Sequence, residues 1–475
     1  MPDDLQTTLH DRFGLEALRP LQERVIGRVM GGGDALVIAP TGSGKSLCFQ
    51  LPTLAMERYG VGLVFSPLIA LMEDQVASLK KRGIRAEYIN STLRPKERER
   101  RIAALARGEY ELIYATPERM HRPGFADALA ECPGGVKLLA IDEAHCISKW
   151  GHDLRPAYTE IGAFREQLGN PVTIALTATA TSAVRDDIRA VIGICDEDMP
   201  LFAEPIDRPN LVLGSEEVWS DDDKVERIRT IASRGRGVGI VYFALIKDLE
   251  RYVDLVRAAL PDRIIEVYHG KLPPHEKKRV YRVFTEAGPD DGLVLLATNA
   301  FGMGVDKPDI RFIVHAQAPG SVEAYYQEVG RAGRDGLSSV CRLLYQQADL
   351  AIQQQFVEWA NPSADLLVQM ATEIERSVHH DFDVDELRLD VRGKGRWDRR
   401  FEYAIVTLAK LGVIEPTFVP ERYRFVRTLD DNEVDPHEIE AKRQRDLTRL
   451  LDVMHLAKTE DIRSYVLDYF ELPAS

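Results

Sequence analysis

Short, nearly uninterrupted apolar runs alternate with longer amphipathic stretches along most of this chain. ALVIAP, GLVFSP, AEYINS, ELIYATP, LLAIDEAH and VTIALTAT each end in small, hydroxylated or acidic residues. Continuous apolar runs fit strands buried on both faces, and the stretches between them carry helical spacing. The strand-then-helix rhythm predicts a parallel sheet with helices on both faces. Residues 203–214, AEPIDRPNLVLG, break the rhythm with proline and polar residues and read as a linker. A second rhythm follows in GIVYF, RIIEVYHG, GLVLLATN, IRFIVH and VCRLLY. The expected organisation is α/β: a first sheet domain over 1–207, a second over 208–350, and a mostly helical C-terminal region.

That last region divides by pattern. Residues 351–378 read as a helical connector. Over 379–430, DVDELRLDVRGKGRWDRRFEYAIVTLAKLGVIE predicts helix, basic turn and helix stopping at Gly412. VIEPTFVPERYRFVRTL then predicts a hairpin, with Arg422 and Arg424 alternating against Tyr423 and Phe425. Helices ending in such a hairpin suggest a winged helix; a charged helical pair packed on the core is the other reading. Residues 431–475 predict a helical hairpin with Leu450, Leu451, Met454, Val466, Leu467 and Phe470 as its core.

Composition narrows the class. The 475 residues are 45% hydrophobic and 29% charged, which suits several globular domains. No apolar run is long enough to span a bilayer, and MPDDLQTTLHDRF lacks a basic-then-apolar signal, so a cytoplasmic protein is expected. Five scattered cysteines, with no C-x-x-C pair, indicate neither a disulfide framework nor a cysteine zinc site. A net charge of −14 weighs against nucleic-acid binding, but VRGKGRWDRR reverses the sign locally through Arg392, Lys394, Arg396, Arg399 and Arg400.

The chemistry concentrates at strand ends. APTGSGKS, Ala39 to Ser46, lies between a predicted strand and a predicted helix. Thr41, Gly42, Ser43 and Gly44 would close backbone N–H groups on phosphates, Lys45 would reach the β/γ-phosphates and Ser46 would hold Mg²⁺. Ala39 stands where the strict pattern has glycine. LLAIDEAHCISKWGHDLRP empties a strand into Asp142 and Glu143. An Asp holding Mg²⁺ through water beside a Glu that orients or deprotonates water is the equipment of metal-assisted NTP hydrolysis. His145, Lys149, Trp150, His152 and Arg155 follow in the same loop and suggest contact with both the nucleotide site and a second ligand. Ser66, Thr177 and Thr179 at strand ends would meet a ligand backbone, or serve as ordinary turns and caps. The second sheet has no phosphate loop, which suggests one nucleotide shared between two domains. Gln327, Arg331 and Arg334 in YYQEVGRAGRDG would then supply electrophiles from across the cleft, whereas alone they would read as a solvated loop.

Together these stretches resemble the RecQ family of DNA helicases from about Phe13 to Tyr345. The resemblance rests on ordered motifs: Arg19 to Gln22, the phosphate loop, SPLIALMEDQV, the Asp-Glu-Ala-His box with KWGHDLRP, TAT, ATNAFGMGVDKPDIRFIVH and YYQEVGRAGRDG. It implies two RecA-like domains binding ATP and Mg²⁺ between them, with single-stranded DNA across their top. The implied activity is 3′–5′ translocation and unwinding of tailed or branched duplexes in repair and recombination. By position, Gln22 would read adenine with Arg19 nearby, Arg334 would be the arginine finger, and Trp150 would couple DNA to hydrolysis. Departures are Leu154 where the family has phenylalanine and Val329 where it has threonine. No cysteine follows Cys341, so the family's zinc module is not expected; Asp461 falls near one ligand position, and the order of winged segment and hairpin is reversed. Rival functions are an RNA-dependent ATPase, a strand-annealing or binding protein using ATP as a switch, and, more distantly, a metabolite kinase.

Overall fold

The computed structural model describes residues 3–40, 42–90, 92–120, 122, 124–148, 156–234, 237–302, 305, 307–377, 381–384, 387, 399–417 and 422–471. The first apolar rhythm forms β1 (Ala35–Ile38), β2 (Val61–Phe65), β3 (Ala86–Ile89), β4 (Leu112–Ala115), β5 (Val136–Ile141), β6 (Val172–Thr177) and β7 (Leu201–Ala203). They make a seven-stranded parallel sheet in the order β3-β4-β2-β5-β6-β1-β7. Its helices include α1 (Pro20–Met30), α2 (Leu47–Ala55), α3 (Ile69–Lys81) and α4 (Ser182–Ile192). Along β1, Ala35 and Val37 enter one apolar cluster while Leu36 and Ile38 enter another on the opposite face. A strand covered on both sides has no room for polar alternation, which is why the runs read as continuous.

The second rhythm forms β8 (Leu211–Glu217), β9 (Val238–Tyr242), β10 (Ile264–Tyr268), β11 (Leu293–Ala297), β12 (Ile310–His315) and β13 (Ser339–Tyr345). Its parallel order is β10-β11-β9-β12-β13-β8. Two helices of this part matter below, α5 (Asp221–Ser233) and α6 (Val322–Val329). The expected linker over 203–214 is shorter than its sequence suggested. β7 ends at Ala203 and β8 starts at Leu211, so both ends are drawn in as sheet edges.

Beyond β13 come α7 (Gln347–Ala360), α8 (Ala364–Ser377), β14 (Asp381–Asp383), α9 (Arg400–Lys410), β15 (Ile414–Pro416), β16 (Arg422–Phe425), α10 (Pro436–Lys458) and α11 (Ile462–Phe470). The expected hairpin is present as β15 and β16, and β14 adds a third antiparallel strand in the order β14-β16-β15. Leu367, Met370 and Ile374 of α8 share one core with Phe382, Phe401, Leu408 and Val413. That core crosses the boundary expected between 378 and 379, because the apolar face of α8 needs the sheet and α9 to cover it. In the C-terminal hairpin, Leu450, Val466 and Phe470 are buried as expected, but Leu451 is 47% exposed, and Val453 and Leu456 complete the core stripe of α10. Among the described residues no helix is long and apolar enough to cross a membrane.

Candidate functional site

β1 is buried throughout and empties into the phosphate loop at the sheet's carboxyl edge. Gly42 and Gly44 have φ of 86° and 83°, the left-handed region that glycine adopts without steric cost. Close approach adds a second reason at each. A Cβ on Gly44 would stand 2.6 Å from Gln22 Nε2, and one on Gly42 would stand 3.3 Å from Cδ of Arg334. The second contact spans the two sheets. Lys45 Nζ donates to the carbonyls of Ala39 (2.6 Å) and Pro40 (3.0 Å), folded back on its own loop. Burial holds its ammonium below the ordinary pKa, against the pull of Glu143 and Asp142. The Ser43 hydroxyl is buried without a hydrogen-bond partner among the described residues. A cradle of loop N–H groups at a helix N-terminus, with an inward lysine and an unsatisfied hydroxyl, fits a polyphosphate.

Arg19 and Gln22 brace this loop. Proline at the first position of α1 fixes its start, and Gln22 Oε1 accepts from the Arg19 N–H (2.9 Å). Gln22 Nε2 donates to Gly44 O (3.1 Å), and Arg19 Nη1 donates to Ser43 O (2.9 Å).

The carboxylates arrive on β5. Asp142 N donates to Phe65 O (2.8 Å), and Tyr158 OH donates to Asp142 O (3.1 Å), fixing the turn from both sides. Ser66 Oγ donates to Asp142 Oδ2 (3.4 Å). Burial, then the charge of Glu143, pushes the Asp142 carboxyl up to about 7 while Lys45 opposes the shift. Glu143 has φ of 50°, a left-handed conformation uncommon for a side-chain-bearing residue and characteristic of sites that hold a group in one orientation. Ser46 Oγ accepts from Gln75 Nε2 of α3 (3.3 Å). Ser46 and Asp142 fit a Mg²⁺ site that phosphate oxygens and water would complete. Among the described residues no group of three His, Cys, Asp or Glu side chains could hold a metal ion.

A chain of polar contacts leaves the carboxylates for the second sheet. Glu143 Oε2 lies 3.3 Å from His145 Nδ1, which lies 2.9 Å from Thr177 Oγ1. Thr177 Oγ1 donates to Thr179 O (3.0 Å), and Thr179 Oγ1 accepts from Gln327 Nε2 of α6 (3.3 Å). Ser66, Thr177 and Thr179 are 2%, 0% and 2% exposed. Their hydroxyls are turned inward, to Asp142, His145 and Gln327.

The two arginines differ. Arg331 is 8% exposed and donates to Gly302 O, inside its own sheet domain. Arg334 donates to Val305 O (2.9 Å) and lays its aliphatic stem against Gly42. Arg399 stacks over Trp359, its Cζ 5.4 Å from the ring centre, and Arg400 opens α9 as an exposed residue. Thr41, Trp150, His152, Arg155 and Arg396 lie outside the described residues. Sequence reasoning passed over Gln75 and Tyr158 as site residues, and read His145 only as one of the loop residues that follow Glu143. Gln75 and His145 did lie within motifs already singled out, but their partners are set only by strand order.

A family of DEAD/DEAH box helicases matches residues 19–187, and the helicase conserved C-terminal domain matches residues 223–336. "Probable ATP-dependent DNA helicase RecS" of Bacillus subtilis is 36% identical over 79% of this chain and 74% of its own length. The ATP-dependent DNA helicases RecQ of B. subtilis and Pasteurella multocida are 42% and 39% identical over 74% and 72% of this chain. The chain spans 58% and 52% of those two relatives, little more than half. Among solved structures, the DUF1998 helicase MrfA bound to DNA aligns with a TM-score of 0.60 at 19% identity, over 91% of this chain and 64% of that one. Dbp5 of S. cerevisiae, bound to RNA and ADP BeF3, aligns at 0.56 and 16%, over 75% and 91%. At those identities the likeness is one of fold.

Proposed function

This chain belongs to the RecQ family of ATP-dependent DNA helicases, and we propose that it hydrolyses ATP to move 3′–5′ along single-stranded DNA and separate tailed or branched duplexes. The observation that carries the reading is a single phosphate loop contacted from the second sheet domain, with Arg334 against Gly42 and Gln327 on Thr179. Bound there, Mg²⁺ and ATP supply the electrophilic phosphoryl group and the charge that offsets its oxygens. Gly42 to Gly44 hold phosphate oxygens on backbone N–H groups, and Lys45 exchanges its two loop carbonyls for them. Ser46 and Asp142 hold the ion. Glu143 orients and deprotonates the attacking water, and Arg334 stabilises charge developing on the phosphoryl group. Arg331, buried and hydrogen-bonded within its own domain, orients the segment that carries Arg334.

The Glu143–His145–Thr177–Thr179–Gln327 chain connects water activation to the position of the second domain. Trp150, His152 and Arg155 belong to the loop that reports DNA to the carboxylates. The order α8-β14-α9-β15-β16, with the three strands antiparallel, supports the winged-helix reading of the C-terminal unit. α9 would present Arg399 and Arg400 to DNA phosphates. We assign it no zinc, and a place in the cytoplasm in repair or recombination.

The test is steady-state ATP hydrolysis with single-stranded DNA, with RNA of equal length and with neither. Glu143→Gln should retain binding of a nucleotide analogue while turnover falls by about 10²-fold or more. Stimulation by RNA alone, or ATP binding without turnover in the parent, would replace the helicase reading with an RNA-dependent ATPase or an annealing switch.

A further inference from the structure

The segment between the two sheets holds the arginine loop by its backbone. Arg208 Nη2 donates to Gly333 O (2.8 Å) and Ala332 O (3.1 Å), and its Nη1 donates to Gly330 O (3.5 Å). Asn210 Nδ2 donates to Gly333 O (2.9 Å) and Leu337 O (3.0 Å). The approach is close enough that a Cβ on Gly333, whose φ is 54°, would lie 2.5 Å from Asn210 Nδ2. These carbonyls alternate with the residues that matter, since Arg331 and Arg334 hang from the peptide units so gripped. A guanidinium presents several donors in a rigid fork, so one side chain can fix three carbonyls of a loop that has no regular structure to satisfy them.

The grip is itself backed by the C-terminal hairpin. Arg463 of α11 pairs with Asp207 and donates to Leu211 O (2.6 Å), on either side of Arg208 and Asn210. Nearby, Tyr469 OH donates to Glu323 Oε1 of α6 (2.9 Å), and the rings of Phe470 and Tyr326 meet at 5.4 Å. Tyr326 OH returns to the connecting segment, donating to Ile206 O (2.8 Å). Along α6, Glu323 and Tyr326 meet the hairpin and connector, and Gln327 reaches Thr179.

We propose that Arg208 is a positioning residue for the ATPase: it sets the backbone of residues 330–333 so that Arg334 reaches the phosphate loop, and Arg463 holds Arg208 in place from behind. The inference rests on the ATPase reading above. It assigns a mechanical role to a connector that its sequence presents only as a break, and it makes the C-terminal hairpin a part of the motor.

The test compares Arg208→Ala, Arg208→Lys, Arg463→Ala and the double Arg208→Ala/Arg463→Ala in the full chain. Turnover, KM for ATP, thermal unfolding and amide hydrogen exchange over 330–335 are the readouts. Arg208→Ala should lower kcat about tenfold or more with KM for ATP changed less than threefold, because misplacing a charge-stabilising group costs rate. Arg208→Lys should recover only part of it, since an ammonium cannot fork. Arg463→Ala should show a smaller loss in the same direction, and the double variant should be no worse than Arg208→Ala, as expected of groups acting in series. Exchange over 330–335 should quicken in both Arg208→Ala and Arg463→Ala. An unchanged kcat, independent multiplying losses, or unchanged exchange would overturn the proposal. A parent without DNA-stimulated turnover would defeat the helicase reading instead, and the exchange measurement would still decide whether Arg208 holds the loop.

Discussion

Arg331 and Arg334 lie three positions apart in one loop, yet their surroundings separate them. Arg331 is buried with its guanidinium on Gly302 O, whereas Arg334 reaches Gly42 across the cleft. Arg334→Ala should therefore lose about 10³-fold or more of turnover while thermal stability and nucleotide-analogue affinity stay near the parent's. Arg331→Ala should lower the unfolding free energy by about 1.5–3 kcal/mol, the range for a lost hydrogen bond to a charged group. Denaturant unfolding beside turnover distinguishes the two. If Arg334→Ala turns over normally, the finger assignment fails. The residue types and their order were legible in the sequence, and the family resemblance singled out Arg334, but the partners that separate the two arginines were not, because they depend on which carbonyls come near. Arg208 and the Ala332 carbonyl that it holds are 124 residues apart, and no local spacing relates them.

At the scale of elements, the strands declared themselves through unbroken apolar runs, and helix starts such as Arg19-Pro20 through capping. Elements built from weaker patterns were misjudged. The stripe of α10 was placed on Leu450, Leu451 and Met454; Leu450 is buried, but a long charged helix offers several apolar rows, and docking on the second sheet selects Val453 and Leu456 in place of Leu451. β14, three residues long, carries no pattern of its own. Another tertiary device pins α7 to α5: Lys224 Nζ lies 3.3 Å from Asp349 Oδ2, with side chains 2% and 5% exposed.

Burial raises the Asp349 carboxyl to about 6 despite the opposing Lys224. The folded value thus lies above the unfolded one. The stability this group contributes is whole below about pH 4 and is lost as pH rises through about 6. Lys224→Met should leave the ionised carboxylate buried without its counter-charge, costing on the order of 3–5 kcal/mol at pH 8. At pH 5, where Asp349 is largely protonated, the cost should shrink. Urea unfolding at the two pH values checks this; an equal loss at both would mean that Asp349 is not the group responsible.

For the whole molecule, the net charge of −14 leaves little long-range attraction for a polyanion, so DNA affinity must come from local cations. Replacing both Arg399 and Arg400 by Gln should weaken binding to tailed duplex and reduce the salt slope by roughly 2. Unchanged affinity and slope would mark that face as merely solvated. The larger organisation is two parallel sheets with one phosphate loop between them. A C-terminal hairpin braces the connector, the arginine loop is held by that connector, and a polar chain runs from Glu143 to Gln327.

The most direct test of the central claim, that hydrolysis is completed from the second domain in response to DNA, is ATP turnover by the parent and by Arg334→Ala with and without single-stranded DNA. The account predicts strong stimulation of the parent and none of the variant, although the variant still binds the nucleotide analogue. Equal stimulation of both would mean that the second domain does not supply the group that makes hydrolysis respond to DNA.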